Sequence, residues 1–358
     1  MDRRIIGGKG RSAAAAASAP PQVRHLCVDE SSAGQRLDNY LLRELKGVPK
    51  THVYRVIRSG EVRLNKGRAA ADTRVQAGDD VRVPPLRLPE RQAASAPPRE
   101  FEVLYEDDWL LAIDKPAGVA VHGGSGVSFG VVEQLRRARP QARFLELVHR
   151  LDRETSGVLL LAKKRSALTA LQDQFRARDT SKSYAALVRG DWPDKIRRID
   201  VPLHKYLLPD GERRVRAAAA GDAQAKPSIT LVRVAQRFAG CSLLDVSIKT
   251  GRTHQIRVHL AHAGHPIVGD DKYGDFDFNK SLARGEAVPG LRFEGMFLHA
   301  RRLGFEHPAS GQRIELEAPL PAAGAALLAR LAPAARADRS SRPLEPTART
   351  HLGDTCQP

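Results

Sequence analysis

Between two apolar runs, Leu145 to Val148 and Val158 to Ala162, the sequence sets Asp152 between two arginines. The stretch is His149-Arg150-Leu151-Asp152-Arg153-Glu154, followed by the polar turn Thr155-Ser156-Gly157. A strand that stops, shows a charged cluster and restarts holds a side chain at the edge of a core. Asp152 there has three readings: a turn cap, a structural ion pair with a neighbouring arginine, or a catalytic carboxylate that the nearby cations keep ionised. Two other paired acids, Asp107-Asp108 and Asp270-Asp271, fall in turn-rich runs and read as exposed.

The histidines invite a metal reading, because His254, His259, His262 and His265 recur on or near one helix. HExxH is absent, His254 and His259 fall on different helical faces, and Arg252 and Arg257 crowd the segment with positive charge. No metal is expected. Arg252, His254, Arg257 and His259 fit better as phosphate ligands or carboxylate partners. The glycine-rich run His122-Gly123-Gly124-Ser125-Gly126 lacks both the P-loop Lys-Ser/Thr and the GxGxxG spacing, so it reads as a structural turn.

The elements that must position these groups follow from periodicity. Residues 1–33 are expected to be a disordered basic tail, low in complexity and with little to bury. Leu37, Leu41, Leu42 and Leu45 share one face of a helix over residues 36–46, and Val53, Val56 and Ile57 share a face of a second over 50–59. Short alternating strands around Val62–Leu64 and Val81–Val83 complete a small module, residues 34–85. The Pro/Ala/Arg-rich stretch 86–100 reads as a linker. A larger domain spans 101–332, with strands at Phe101–Tyr105, Trp109–Ile113, Val119–Val121, Ala185–Val188, Ser228–Val234, Cys241–Ile248, Phe297–Phe305 and Arg313–Ala318. Helices are expected at Ser166–Arg176, Thr253–Ala263 and Leu327–Leu331, with polar excursions at 204–227 and 270–292, and a disordered tail over 333–358. Strands outnumber helices and many links are hairpin-like, which predicts an α+β fold with a mostly antiparallel mixed sheet.

Composition narrows the partner. With 58 Lys+Arg against 41 Asp+Glu, the 358-residue chain carries a formal charge of +17. Such a surplus favours a polyanion, since cations that neutralise phosphates release condensed counterions. No apolar run approaches the roughly 18 residues of a membrane span. Three scattered cysteines exclude a disulfide framework and suit a reducing cytosol.

Longer motifs sharpen this. Residues 34–85 resemble an S4 domain, a small RNA-binding fold, through Arg36-Leu37-Asp38, the Arg55-x-x-Arg58-x-Gly60-x-Val62 run, Asn65 and Gly78-Asp79-x-Val81. On that resemblance Arg36, Lys50, Arg55, Arg58 and Lys66 are expected to meet RNA. His149-Arg150-Leu151-Asp152-x-x-Thr155-Ser156-Gly157 resembles the signature of the pseudouridine synthases that modify ribosomal and transfer RNA. Asp114-Lys115-Pro116-x-Gly118-x-x-x-His122 precedes it. Lys182-x-Tyr184-x-Ala186, Gly251 to His259, Gly264-His265-Pro266-Ile267 and Leu298-His299-Ala300 follow in the family's order. The wording around His122 and Asp152 is most similar to a branch that acts on several uridines of large-subunit ribosomal RNA. The N-terminal extension, the Ala217–Ala220 run and the C-terminal tail depart from the family pattern, all outside these motifs.

The resemblance implies a base-flipping isomerase with Asp152 as nucleophile, Arg257 as its salt-bridged partner and Tyr184 stacking on the uracil and taking the C5 proton late in the reaction. It places Leu298 against the base, Arg150 in the space the base vacates, and Arg252 and His254 on the substrate. No cofactor is implied, because the reaction needs neither redox chemistry nor phosphoryl transfer. The expected setting is a cytoplasmic monomer acting on large-subunit (23S) rRNA, with no membrane partner. A transfer-RNA target, a non-catalytic assembly factor, and an N-glycosidase, for which no second acid is evident, are the competing readings.

Overall fold

The computed structural model describes residues 22–45, 47–86, 96–123, 129–209, 212–219 and 221–333. Most of the two expected tails, most of the linker and the glycine-rich turn at 124–128 lie outside them. The chain divides into two compact units, one up to Pro97 and one from Pro98, with the short segment Gln141–Phe144 assigned to the first.

In the first unit, strands β1 (Arg24–Cys27), β2 (Arg63–Leu64) and β3 (Asp80–Val83) form a sheet of order β1-β3-β2 beside helices α1 (Leu37–Glu44) and α2 (Lys50–Arg58). Leu37, Leu41, Leu45, Val53, Val56 and Ile57 are buried together with Val62, Val81 and Val83, so the helical faces read from the sequence are the packed ones. Regular structure begins earlier than the expected boundary at Gly34. Arg24–Cys27 pairs antiparallel with β3 from Arg24↔Val83 to Cys27↔Asp80, and Val28 is buried in the core. The strand is mostly exposed, so it lacks the apolar alternation that marks one; long-range backbone pairing makes it.

The second unit is built on one long mixed sheet. Its elements are β4 (Val103–Glu106), β5 (Leu110–Lys115), α3 (Val131–Ala138), β6 (Glu146–Leu147), β7 (Ser156–Ala162), α4 (Arg165–Ala177), β8 (Ser181–Arg189) and β9 (Arg198–Asp200). Then come β10 (Leu203–Leu207), β11 (Arg213–Ala217), β12 (Ile229–Phe238), β13 (Cys241–Ile248), α5 (Gln255–His262), α6 (Phe276–Arg284), β14 (Leu298–Glu306), β15 (Arg313–Glu317) and α7 (Ala322–Arg330). The sheet runs β4-β5-β7-β14-β8-β13-β12-β9, with β15 on β14 and β6 on β7. All of its pairings are antiparallel except β7–β14. The α+β fold with a mostly antiparallel mixed sheet is therefore the observed one. Every residue of β7 is buried, which explains its unbroken apolar run.

Three local expectations need correction. The polar stretch 204–227 contains the hairpin β10–β11, whose register runs from Leu203↔Ala217 to Leu207↔Arg213. Only Leu203 and Val215 pack inward there, with Val258, so the sequence shows little periodicity. The stretch 270–292 contains α6, capped where the Asp275 carboxylate accepts the Phe278 N–H. Val119–Val121 is irregular, following a turn at Ala117-Gly118, and is not a strand.

Two features hold the interrupted strand of the opening motif. Gly157, at φ +107°, lies across from β14, and a Cβ there would meet the Ala300 carbonyl oxygen at 2.2 Å. His149 replaces a strand neighbour: its Nε2 accepts the Leu160 N–H at 3.1 Å, one residue beyond the point where Val148 donates to the Leu160 carbonyl. Its ring stacks on Phe175 at 5.1 Å. Burial, aided by the Lys182 charge, pushes the imidazole down to about 4.

Gly157→Ala is expected to destabilise the second unit by about 3 kcal/mol or more, whereas Gly264→Ala, with nothing within 4 Å and only a φ of +84° to strain it, should cost about 1–2 kcal/mol. Thermal melting of the two variants separates the clash from the strain. For His149 the unfolded chain protonates first, near pH 6.5, and the folded chain only near 4. Stability should therefore fall as the pH drops through that window, by up to about 3 kcal/mol. Denaturant titrations at pH 7 and 4.5 should show this slope reduced in His149→Gln, which keeps an acceptor without titrating.

Candidate active site

The turn that carries Asp152 is fastened from beneath. The Thr155 N–H bonds to the Asp152 carbonyl at 3.1 Å, and the Gly118 N–H bonds to the Arg153 carbonyl at 2.9 Å. Lys115, with no exposed surface, donates its ammonium to the carbonyls of Pro116, Val119 and Arg153 at 2.9, 2.8 and 3.0 Å. Burial drives that ammonium down to about 8, against the pull of Glu154, Asp152 and Asp114. A buried cation fully supplied with carbonyls thus braces the Asp152 turn without neutralising its carboxylate. This is the structural content of the Asp114-Lys115-Pro116 motif.

Asp152 opens into a pocket lined also by Arg150, Tyr184, Arg252, His254, Arg257 and Leu298. The residues singled out around Asp152 therefore converge, although they come from β8, α5, β14 and two loops. Its carboxylate retains 21% exposure, and its Oδ2 lies 3.9 Å from both Arg257 Nη1 and His254 Nε2. These are ion-pair distances beyond hydrogen-bond reach.

The expected Asp152–Arg257 salt bridge is accordingly a long one, because Arg257 spends its hydrogen bonds elsewhere. Its Nε and Nη2 grip Asp270 at 2.7 and 2.6 Å, and Nη2 also reaches Asp271 at 2.9 Å. Arg257 and Asp270 are almost wholly buried. Burial would push the guanidinium down, yet the Asp270 bonds and the charges of Asp270, Asp152 and Asp271 hold it well above its ordinary value. Burial likewise opposes ionisation of Asp270, and the same bonds keep its carboxyl below the usual range.

The loop leading into α5 is tied to β12 by one side chain. Gln255, buried, accepts from the Arg252 N–H at 3.1 Å and Thr250 Oγ1 at 2.8 Å. It donates to the Ile229 carbonyl at 3.0 Å and Thr230 Oγ1 at 3.1 Å. His254 follows in the left-handed region at φ 52°, so the helix starts at Gln255, two residues later than periodicity implied. Its Nδ1 meets the Tyr273 hydroxyl at 2.8 Å. Burial lowers its pKa, against the pull of Asp152. Tyr184 packs against the cores on both sides of the site. Burial and the Asp152 charge raise its phenol well above the ordinary value, so it stays protonated at neutral pH.

The remaining candidates separate cleanly. Arg150 and Arg252 are exposed at the rim, where Arg252 Nε also donates to the Pro227 carbonyl at 3.3 Å. His259 faces away from the pocket, held by Thr230 Oγ1 at 2.8 Å and the Val201 carbonyl at 2.9 Å. Among the described residues no group of three or more His, Cys, Asp or Glu is placed to hold a metal. In the first unit Lys50, Arg55, Arg58 and Lys66 are exposed. Arg36 is half committed: it pairs at 2.7 Å with Asp38, a buried carboxylate that also accepts from Tyr54 at 2.9 Å.

Sequence reasoning missed Asp270, Tyr273, Gln255 and the purpose of Lys115. Asp270 offered a signal: apolar Ile267-Val268 runs directly into Gly269-Asp270, an approach from the core rather than from an exposed turn. Asp270→Asn leaves a buried guanidinium short of its anion and is expected to destabilise the fold by about 3–5 kcal/mol. Asp271→Asn, at a side chain 53% exposed, should cost about 1 kcal/mol or less. Denaturant midpoints of the two variants make the comparison.

The family model for RNA pseudouridylate synthases matches residues 109–262, and the S4 domain model matches residues 35–81. The chain is 50% identical over 307 residues to the Ribosomal large subunit pseudouridine synthase C of Escherichia coli (strain K12), covering 84% of this chain and 94% of that protein. Against the protein of that name from Pasteurella multocida (strain Pm70) it is 50% identical over 305 residues, covering 83% and 90%. The solved structure of Human RNA Pseudouridylate Synthase Domain Containing 4 aligns with a TM-score of 0.53 at 28% identity, covering 64% of this chain and 92% of that one. With half its residues shared along nearly the whole of these bacterial relatives, the chain belongs to the RNA pseudouridylate synthase family, as a member that also carries an S4 domain.

Proposed function

We propose that this enzyme isomerises uridines of large-subunit ribosomal RNA to pseudouridine, with Asp152 as the carboxylate that attacks the flipped-out nucleoside. The observation that carries the assignment is the Asp152 carboxylate itself: braced from below, open to a pocket, and facing two cationic or polar side chains at 3.9 Å without being sealed by either. Relatives 50% identical along nearly their whole length are named for the ribosomal large subunit, which supports that target.

The reaction breaks the N1–C1′ bond, turns the base and forms C5–C1′; C5 gives up its proton and N1 gains one. Electrons are conserved within the nucleoside, so no redox cofactor enters the chemistry. A carboxylate that engages the sugar or base lowers the barrier to leaving-group departure, as in retaining glycoside chemistry. Arg257, kept charged by Asp270, stabilises Asp152 through space and leaves its oxygens free for the substrate. Tyr184 serves as a stacking platform and phenol donor. Its raised pKa makes it a poor base for the C5 proton, which narrows the role expected from the motif alone. Leu298 supports the other face of the base, and Arg252 and His254 hold the substrate at the rim.

A paired uridine leaves its stack at a cost of a few kcal/mol, and Arg150, exposed beside Asp152, is suited to fill the gap. Arg36, Lys50, Arg55, Arg58 and Lys66 of the S4 unit supply phosphate contacts that raise affinity without reading sequence. No helix among the described residues is long and apolar enough to cross a membrane, and the enzyme is proposed to work as a cytoplasmic monomer.

Pseudouridine mapping of large-subunit rRNA, treated with the enzyme or with Asp152→Asn, tests the assignment. Specific conversions are expected with the enzyme, reduced by about 10³-fold or more in the variant, while RNA affinity is retained. An unchanged conversion pattern with Asp152→Asn removes Asp152 as the nucleophile.

A further inference from the structure

His254 stands at the pocket with one ring nitrogen toward Asp152 and the other toward Tyr273. Nε2 lies 3.9 Å from Asp152 Oδ2, and Nδ1 lies 2.8 Å from the Tyr273 hydroxyl. Burial keeps this imidazole below its ordinary pKa, so the neutral form prevails at neutral pH. A neutral imidazole has one N–H and one bare nitrogen. Which is which decides whether it donates to the carboxylate or repels it.

The partners of the Tyr273 hydroxyl select the tautomer. That oxygen accepts the Val215 N–H of β11 at 3.1 Å. Among the described residues its one other hydrogen-bond partner is His254 Nδ1. Burial raises the phenol above its ordinary value, so it keeps its proton at neutral pH. With Val215 donating to the oxygen, that proton has His254 Nδ1 as its acceptor, and the imidazole proton is left on Nε2. The opposite tautomer would ask the hydroxyl to accept twice while its own proton went unmatched. It would also aim the Nε2 lone pair at a carboxylate.

Tyr273 has an ordinary packing role as well. Its ring sits against Leu203, Val215 and Val258, edge-on to His254 at 5.6 Å, and Arg257 lies over it at 5.2 Å. Phenylalanine would fill that space equally, but it lacks the hydroxyl. The backbone that places this hydroxyl is itself pinned. The Tyr273 N–H donates to Asp270 Oδ1 at 3.0 Å, and at Gly274 a Cβ would meet the Asp270 carbonyl oxygen at 2.2 Å. Asp270 is also the carboxylate that grips Arg257. One short loop therefore holds both groups that stand 3.9 Å from Asp152.

We propose that Tyr273 is a positioning residue for the isomerisation: its hydroxyl donates to His254 Nδ1 and thereby holds Nε2–H toward Asp152 as a neutral donor. The inference rests on the carboxylate role given to Asp152 above and adds how its second neighbour is set. Arg257 already supplies a full charge, and a second cation beside Asp152 would further weaken the carboxylate as a nucleophile. A neutral N–H orients it at a smaller cost in reactivity. Catalytic hydrogen bonds often tighten only in the substrate complex, and the 3.9 Å approach leaves room for that closure.

The test reads the tautomer directly. Nitrogen NMR of the full-length protein carrying isotope-labelled histidine separates a protonated ring nitrogen from a bare one, and His254→Gln identifies the signals by their loss. In the unaltered protein at neutral pH, Nε2 is expected to be the protonated nitrogen and Nδ1 the bare, hydrogen-bonded one. Tyr273→Phe keeps the ring and removes the hydroxyl, so the proton should then be shared between the two nitrogens. In that variant kcat for uridine conversion should fall about tenfold, the worth of one neutral hydrogen bond, with KM changed less than about twofold. In a His254→Gln background the same substitution should lower kcat by less than about twofold. A proton on Nδ1 in the unaltered protein overturns the proposal, as does an unchanged tautomer or an unchanged kcat in Tyr273→Phe. A loss of activity that persists in the His254→Gln background marks a purely structural role and overturns it too. The nitrogen signals are read without turnover. Absence of conversion by the unaltered enzyme would count against the proposed reaction, whereas the tautomer reports on Tyr273 alone.

Discussion

The site depends on one parallel contact, where Ser156 and Gly157 of β7 lie beside His299 and Ala300 of β14. Everything that supplies Asp152 belongs to the β5–β7 side of the sheet: the braced turn, the buried Lys115 and the His149 ring that completes the ladder. Everything that answers it belongs to the β8–β13 side: Tyr184 on β8, and His254 and Arg257 at the start of α5. β14 pairs with both β7 and β8 and is the only strand that does so among the described residues. The approach is close enough that only a glycine fits at residue 157. Ser156 Oγ reinforces the same point through a 2.9 Å bond to buried His299, whose other ring nitrogen meets the Ala318 carbonyl at 3.2 Å.

Around this joint the charges are arranged in layers. A guanidinium as deeply buried as Arg257 is costly unless its donors are satisfied, and Asp270 and Asp271 satisfy them on the side away from the pocket. The attraction left for Asp152 acts across 3.9 Å, enough to orient a carboxylate but too long to occupy its lone pairs. Lys115 follows the same logic, spending its three donors on carbonyl oxygens. An aspartate locked in a short bidentate bridge would have to break that bridge before reacting; here the bridge is displaced one residue outward, onto Asp270. The phenol of Tyr184, held protonated by burial and by that same carboxylate, fits beside an anion better than a phenolate would.

The chain's charge of +17 is distributed for a polyanion rather than for stability. Arg55, Arg58, Lys50 and Lys66 face solvent on the first unit, and Arg150 and Arg252 stand at the mouth of the pocket. The acids of the second unit are largely consumed by paired arginines: Glu317 by Arg301 and Arg302, and Asp245 by Arg233. Among the described residues, those six solvent-facing cations have no ion-pair partner.

Much of this was legible in the chain because local chemistry wrote it there. Periodicity marked the α1 and α2 faces, the buried run of β7 and the strand-break-strand around Asp152. The order of the motifs named Asp152, Tyr184, Arg257 and Leu298 as one set, since a catalytic constellation constrains residue type at each position. Element ends were less legible: β1 has no apolar alternation, the β10–β11 hairpin buries only two of its own side chains, and α5 starts two residues late because Gln255 pins the loop before it. Which atoms touch was not legible at all. Asp270 looked exposed because the residues that follow it are polar, yet it is buried by contacts from α5 that lie 13 residues away along the chain. Sequence determined the chemistry available to this protein, through residue identity and motif order. Only the tertiary structure decided that Arg257 would bind Asp270 and leave Asp152 open, because hydrogen-bond allocation in a buried site depends on packing between segments that sequence does not place side by side.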